Sequence, residues 1–579
     1  MPCGLRAHAL HCLLRLSACR WGNALPKELL QQVLSCLPNK DQMQAAAVCT
    51  QWQQVADAAC VDIDLQSVSE TQWHMLQQWL PKRGLGVSSL ILRLQPQHSI
   101  YQLQLPPKLC SLHLQGGSCN APWQAWLPRE AAASLTRLVL QQQVWARTAA
   151  PPYQCPEQQQ LLQEIRGFTS LQELKLNFRN TYGTSSLVGG HLQVLEAVSV
   201  LQHLTSLELQ GLGESQHQLG AQQQYLAQLT KLQRLDVELP DTRCLGAIDR
   251  LTGLTGLSLS ASTKLLISAG ASSRIEFLTN LRSLVLKNCM FSAGTVPVLT
   301  ALTSLHLASV PCAAALQLLG QLPLLAAVTI VRFDTAHGVA PAAYAAITHS
   351  PHLQQLNLSE SGLPDAAWPH IFPAGRHLHQ LHSLWLSKGC PLAGGVVQAL
   401  AQCCPALVHL DGGGVLSIEP GLSRLTRLTQ LHARQACGKA QAAALGSLLR
   451  LQILDLTPSR GSRGSFKKWL QWDFQPLLQL PLLTRLEVGG YLSDCSAAIV
   501  LSRLVGLADL TVKCLTEDQL RRMTALTTLT SISFDTDELG MLLVDRLRCL
   551  HAGTSRRGGR VIICNKVCRT YISGWTRQS

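Results

Sequence analysis

The chain has 579 residues, 47% hydrophobic and 14% charged, a balance that suits a folded protein and excludes a disordered one. No window approaches the roughly 18–20 unbroken apolar residues of a membrane span. The 48 basic and 34 acidic residues leave a net charge of +14, spread thinly except at 460–468 and 556–577, which reads as a solvated surface. Cysteine is abundant at 21, yet the count is odd and no C-x-x-C pair occurs, so reduced thiols of an intracellular protein are expected. Cys403-Cys404 and Cys564-x-x-x-Cys568 lack histidines at ligand spacing, so neither a metal nor any other cofactor is expected.

Residues 1–22 carry Arg6, Arg15 and Arg20 with no acid before Glu28. That pattern is shared with organelle transit peptides, but here it runs directly into a folded module, so a loose arm is the preferred reading. The module occupies 23–60. Pro26 opens a helix where a missing N–H costs nothing, and Glu28 complements its positive end. Leu30, Val33, Leu34 and Leu37 form an i, i+3, i+4, i+7 stripe that Pro38 ends. Asp41 is placed to cap a second helix, whose apolar side carries Met43, Ala47, Val48, Trp52 and Val55. Two such helices make a poor core alone, which points to a partner that completes it.

These residues resemble the F-box, the module by which substrate receptors dock on the Skp-type adaptor of SCF ubiquitin ligases. The family's L-P-x-E-L-L opening matches Leu25, Pro26, Glu28, Leu29 and Leu30. Its continuation matches Val33, Leu34, Leu37 and Pro38, and its Asp followed by V-C-x-x-W matches Asp41, Val48, Cys49 and Trp52. Gln42, Thr50 and Gln51 depart from the pattern. The resemblance implies an adaptor-binding surface made of Leu25, Pro26, Glu28, Leu29, Leu30, Val33, Leu34, Leu37, Pro38, Val48 and Trp52.

Val61-Asp-Ile-Asp-Leu65 alternates like a strand, and Trp73, Leu76 and Leu80 share a helix face closed by Pro81 and Gly84, so 61–86 is expected to weld the module to the rest of the chain. Trp123 and Trp126 are expected to cover the early repeats. From 87 to 550 one pattern returns. Leu281-Arg-Ser-Leu-Val-Leu-Lys-Asn-Cys289 reads L-x-x-L-x-L-x-x-C, the strand segment of a leucine-rich repeat. Counting the first anchor of each copy, from Val87 to Leu529, gives 18 repeats at spacings mostly between 21 and 28 residues. Period-2 pairs such as Leu207/Leu209 and Leu454/Leu456 favour strands over an all-helical chain. The Pro-containing Gln141–Gly167 stretch and the basic Thr457–Lys468 stretch read as insertions, and 551–579 as a capping strand with a basic tail. The expected fold is an α/β solenoid, a leucine-rich-repeat horseshoe with a concave parallel sheet, preceded by a small helical F-box. Leu212, Pro240 and Ser262 occupy positions where an Asn usually bridges turns, so an irregular curve is expected.

Residues flanking the strand leucines would face the concave side, where the fold does not constrain them. One area, with Glu173, Glu208, Asp236 and Glu238, is acidic and relieved by Lys175 and Arg234. Farther on, Trp385, Asp411, His432, Asp455 and Glu487 occupy one column, an aromatic anchor beside acids that would suit a basic peptide of a substrate protein. Phosphate would demand Lys and Arg there, which argues against nucleic acid. His306 and His432 have no nucleophile at a usable spacing, and Gly412-Gly-Gly414 lacks the lysine of a phosphate loop, so no catalytic activity is expected. By resemblance the chain is the substrate receptor of an SCF ligase, with adaptor and cullin as partners, acting in cytoplasm or nucleus. The alternative is a repeat scaffold of the cytoskeleton or an axoneme whose F-box does not dock.

Overall fold

One strand per repeat is the unit from which the molecule is built. The structure is a computed structural model that describes residues 62–65, 73–74, 76–78, 80, 87–99, 105–118, 133–141, 163, 165–177, 191–211, 224–239, 245–292, 297–333, 339–386, 395–412, 420–433, 439–456, 474–491, 495–514, 531–534 and 562–565. The arm, the whole F-box-like segment, Trp123, Trp126 and the basic insertion lie outside the described residues. The chain divides into two compact units, Met1–Ala301 and Leu302–Ser579.

The first unit carries β1 (Asp62–Leu65), β2 (Ser89–Ser99), β3 (Ser111–Ser118), β4 (Arg137–Gln141), β5 (Glu173–Asn177), β6 (Ser206–Gln210), β7 (Arg234–Glu238), β8 (Gly256–Ile267) and β9 (Ser283–Phe291). Each strand pairs in parallel with the next in sequence. Helices α1 (His191–Ser199) and α2 (Ala269–Glu276) lie in its connections, and Trp73, Leu76 and Leu80, all helical, are buried beneath its start. The second unit repeats the plan with β10 (Ser304–Ala308), β11 (Ala327–Val331), β12 (Gln355–Asn357), β13 (Ser383–Trp385), β14 (His409–Asp411) and β15 (Gln430–His432). It continues through β16 (Ile453–Leu456), β17 (Arg485–Tyr491), β18 (Asp509–Cys514), β19 (Ser531–Phe534) and β20 (Ile562–Asn565), again all in parallel order. Its described connections include α3 (Cys312–Gly320), α4 (Trp368–Ile371), α5 (Val396–Cys403), α6 (Lys439–Gly446) and α7 (Cys495–Ser502), with 3-10 helices at Pro341–Thr348, Asp365–Ala367, Pro420–Arg424 and Gln475–Gln479.

All 18 sequence anchors lead into a strand that begins two residues later, β2 through β19. The reason is the leucine spacing. In the second unit Leu356, Leu384, Leu410, Leu431, Leu454, Leu486 and Leu510 stand in register across neighbouring strands and are essentially inaccessible. A slip of one residue would turn that whole column to water, and each leucine contributes roughly 1.5–3 kcal/mol by burial. Backbone bonds fix the same register: the Thr205 and Ser206 amides both donate to the Gln172 carbonyl at 2.8 and 3.0 Å, and the Thr205 hydroxyl donates to it at 3.1 Å.

Several repeats have a left-handed residue seven positions after the anchor: Gly116 and Asn288 within β3 and β9, and Gly211, Ser309, Arg332 and Glu360 just past β6, β10, β11 and β12. Asn288 also donates its side-chain amide to the Ala261 carbonyl at 2.9 Å. The next residue, Cys289, is buried at the position where a bridging Asn is usual, and its thiol lies 3.6 Å from the Leu259 carbonyl and 3.3 Å from that of Lys287. Burial pushes that thiol up to about 12, so it remains a protonated donor at any physiological pH.

Gly116 is the strictest of these positions, because φ is +75° and an added Cβ would fall on the Leu94 carbonyl oxygen of the preceding repeat. At Gly362, φ is +62° and the space around it is open. Gly116→Ala therefore adds this clash to the left-handed penalty of about 1–2 kcal/mol that Gly362→Ala carries alone, and it is expected to accelerate amide hydrogen exchange in β2 and β3 at least about tenfold more than Gly362→Ala does in β12. Equal effects from the two substitutions would contradict the packing argument.

Candidate protein-binding surface

Strand alternation sends every second side chain away from the leucine core. On β13–β17 those side chains form one row, because Trp385, Asp411, His432, Asp455 and Glu487 are successive register partners. Asn357 precedes the row and Thr511 comes after it. His432 Nδ1 lies 3.9 Å from Asp411 Oδ2 and 4.0 Å from Asp455 Oδ2, so an imidazole sits between two carboxylates. Glu487 is 3.9 Å from the Arg485 guanidinium. All five residues predicted from sequence in this column are thus brought together, and each is partly exposed.

Sequence reasoning missed His409. It begins β14 two residues before Asp411, so alternation puts both on the same face, a signal the one-residue-per-repeat reading did not use. Its ring lies 5.0 Å from Trp385 and 5.5 Å from His432, the latter edge-on. Its Nδ1 contacts Gln430 Oε1 at 2.8 Å, whereas Nε2 is buried with no hydrogen-bond partner. The surface is therefore a Trp–His–His run of rings bordered by carboxylates. Planar cations and carboxylate-seeking side chains are what such a face can hold.

The acidic area of the first unit is built differently. Glu173 meets Arg137 at 2.9 Å and Lys175 at 3.3 Å, and Lys175 also reaches Glu208 at 3.5 Å. Lys175 relieves the acids as read from sequence, and the second counter-ion that the structure adds is Arg137. Glu238 is buried and accepts the Gly211 amide at 2.6 Å, which makes it part of a turn. Burial holds the Asp236 carboxyl above the usual carboxylate range, opposed by a hydrogen bond from Ser258 and reinforced by the nearby Glu208 charge. Much of this charge is spent within the sheet itself.

Among the described residues no group of three His, Cys, Asp or Glu side chains could hold a metal ion, and no helix is long and apolar enough to cross a membrane. Cys403 and Cys404 are buried, and burial raises both thiols above their ordinary value. The predicted adaptor-binding residues, Leu25 through Trp52, lie outside the described residues.

One parallel strand per repeat, leucines inward and varied polar or aromatic residues outward, defines a leucine-rich-repeat protein-interaction module. A family model described as F-box-like matches residues 23–60. The chain therefore carries an F-box-like segment ahead of a leucine-rich-repeat fold. Solved structures with similar folds include a plant peptide hormone receptor in complex with its peptide, at 16% identity and TM-score 0.34, covering 77% of this chain and 64% of that one. A leucine-rich-repeat protein of Leptospira interrogans is 16% identical at TM-score 0.30, covering 87% of this chain and 96% of the other. The ectodomain of the membrane receptor kinase GASSHO1/SCHENGEN3 from Arabidopsis thaliana is 17% identical at TM-score 0.36, covering 85% and 61%. The chain thus spans less than two thirds of either plant receptor chain. A search of curated proteins returned no match.

The raised Asp236 carboxyl carries a sign that can be checked. A group whose folded pKa lies above its unfolded value destabilises the fold when ionised, and that cost is relieved as pH falls through the folded pKa. Asp236→Asn is expected to leave the unfolding midpoint at pH 7 unchanged or higher, with any advantage over wild type shrinking as pH is lowered. A variant clearly less stable at pH 7 would show that the carboxylate form is needed there.

Proposed function

We propose that this protein is the substrate-recognition subunit of an SCF-type ubiquitin ligase. The observation that carries the reading is the F-box-like match at 23–60 followed in sequence by a parallel repeat sheet with its leucines buried and its alternate side chains partly exposed. In this reading Leu25, Pro26, Glu28, Leu29, Leu30, Val33, Leu34, Leu37, Pro38, Val48 and Trp52 dock the Skp-family adaptor, which links the chain to the cullin. The row Trp385, Asp411, His432, Asp455 and Glu487, with His409 added, holds a basic segment of the target. The rings offer faces for a guanidinium, and the carboxylates offer fork-geometry acceptors. The protein performs no bond chemistry; it supplies proximity, and transfer of ubiquitin belongs to other subunits. Such a subunit works in cytoplasm or nucleus, where the ligase resides.

Adaptor capture is the direct test. Full-length protein should retain adaptor and cullin in a pull-down, and Pro26→Ala with Leu30→Asp should lose both. If the wild type captures neither while a control F-box protein does, the chain acts as a scaffold and not as a ligase receptor. The target side is tested separately by Asp411→Lys, Asp455→Lys and Glu487→Lys together. That variant should keep the adaptor and lose co-purified basic proteins, about tenfold or more for a desolvated charge cluster. Undiminished capture of those proteins would remove the row from the binding surface.

A further inference from the structure

The second unit carries another surface, of opposite sign, on the turns that lead into its strands. Before each of β15, β16, β17 and β18 the chain passes through a Leu-x-x-Leu turn closed by a backbone bond. Leu428 donates to Leu425 at 3.0 Å, Leu451 to Leu448 at 2.9 Å, Leu483 to Leu480 at 3.4 Å and Leu507 to Leu504 at 3.0 Å. Because β15–β18 are in register, these four turns stack side by side. The contact is close: a Cβ added at Gly506 would lie 3.5 Å from the Leu483 carbonyl oxygen and 3.6 Å from that of Pro481.

The two middle positions of such a turn point outward and are not needed by the core. Before β5–β9 of the first unit they hold Thr169-Ser170, Gln202-His203, Thr230-Lys231, Thr252-Gly253 and Thr279-Asn280, all polar or glycine as solvated turns require, while Pro107-Lys108 and Ala133-Ser134 precede β3 and β4. In the four turns before β15–β18 they hold Thr426-Arg427, Leu449-Arg450, Pro481-Leu482 and Val505-Gly506. Leu449, Leu482 and Val505 are 57%, 48% and 80% exposed, on three consecutive turns. Arg427 and Arg450 stand beside them, and Arg424 and Arg503 are exposed at the preceding bend. No Asp or Glu occurs anywhere in 422–428, 445–451, 477–483 or 501–507.

We propose that this edge docks an acidic amphipathic helix from a partner protein. Successive turns repeat at the strand spacing of about 4.8 Å, close to the roughly 5.4 Å rise of one helical turn, so apolar side chains on one helix face can meet Leu449, Leu482 and Val505 in sequence. Acidic residues flanking that face would then reach the four guanidiniums. All four cations are arginine, whose fork pairs with a carboxylate through two parallel bonds. A bilayer is the poorer fit, because the described residues of these four turns include no aromatic side chain to anchor them at a lipid interface. The site lies on turns preceding the strands and uses none of the residues of the Trp385–Glu487 row, so it stands whether or not the ligase reading does.

The test uses the full chain and a labelled peptide of about 18 residues, long enough to hold a helix, with leucines on one face and glutamates beside them. Saturable binding that weakens with salt is expected, reduced about tenfold or more by Leu449→Ser with Arg450→Glu. A milder variant, Arg427→Gln with Arg450→Gln, should show the same direction, with unchanged amide exchange in β15–β18 confirming that it folds. The Asp411→Lys, Asp455→Lys, Glu487→Lys variant should bind the peptide as the wild type does. Absence of binding, equal binding of a scrambled peptide, or undiminished binding by the folded turn variants would overturn the proposal. Flotation with phosphatidylserine vesicles without peptide binding would overturn it too, and assign the edge to a membrane surface.

Discussion

Most repeats present a leucine and a second apolar residue on one strand face and an anchor leucine just before it, a set that a single repeat has no means of covering. Burial comes only from the neighbouring copies, as in Leu410, Leu431 and Leu454, which stand in register on β14, β15 and β16. This dependence on neighbours sets everything else. It makes the strands parallel, since each repeat must enter its strand in the same direction as the last. It fixes the register, because a slip would invert the two faces of the sheet. It also places a left-handed residue at or near the end of several strands, tolerated by Gly116, Gly211 and Asn288 at modest cost and carried also by Ser309, Arg332 and Glu360, the last two joined by an ion pair at 3.2 Å.

A scaffold stabilised in this way leaves two kinds of position unconstrained: the outward residues of the strands and the middle residues of the turns. In the second unit both kinds are used, and they differ in sign. The strand face gathers rings and carboxylates around His409 and His432, and the turn edge gathers aliphatic tips and guanidiniums around Leu449 and Arg450. In the first unit, by contrast, Arg137, Lys175, Glu173 and Glu208 satisfy one another across neighbouring strands. A buried imidazole nitrogen with no hydrogen-bond partner occurs in each unit, His113 Nε2 in the first and His409 Nε2 in the second.

The strand ladder was legible in the sequence because period-2 leucines at a near-constant spacing admit one register. The same logic placed Trp385, Asp411, His432, Asp455 and Glu487 in one row, since in-register parallel strands align equivalent positions. His409 was missed because one position per repeat was read, although two face outward on so short a strand. Arg137 was missed because an ion pair across strands depends on side-chain reach as well as register. The stacked turns were invisible for another reason: Leu449, Leu482 and Val505 look like core residues in a leucine-rich chain. Their exposure results from the Leu-x-x-Leu bond that turns them outward.

The central claim is that buried leucines carry the fold while the outward rows are free for recognition. Comparing Leu454→Ala with the combined Asp411→Ser, His432→Ser, Asp455→Ser variant, by amide hydrogen exchange in β14–β16, tests it most directly. The account predicts a loss of about 2–5 kcal/mol for the leucine, which is wholly buried. For the outward row it predicts changes near the roughly ±0.5 kcal/mol per site typical of surface positions. A row variant as destabilised as the leucine variant would contradict the account, because those residues would then be holding the sheet together.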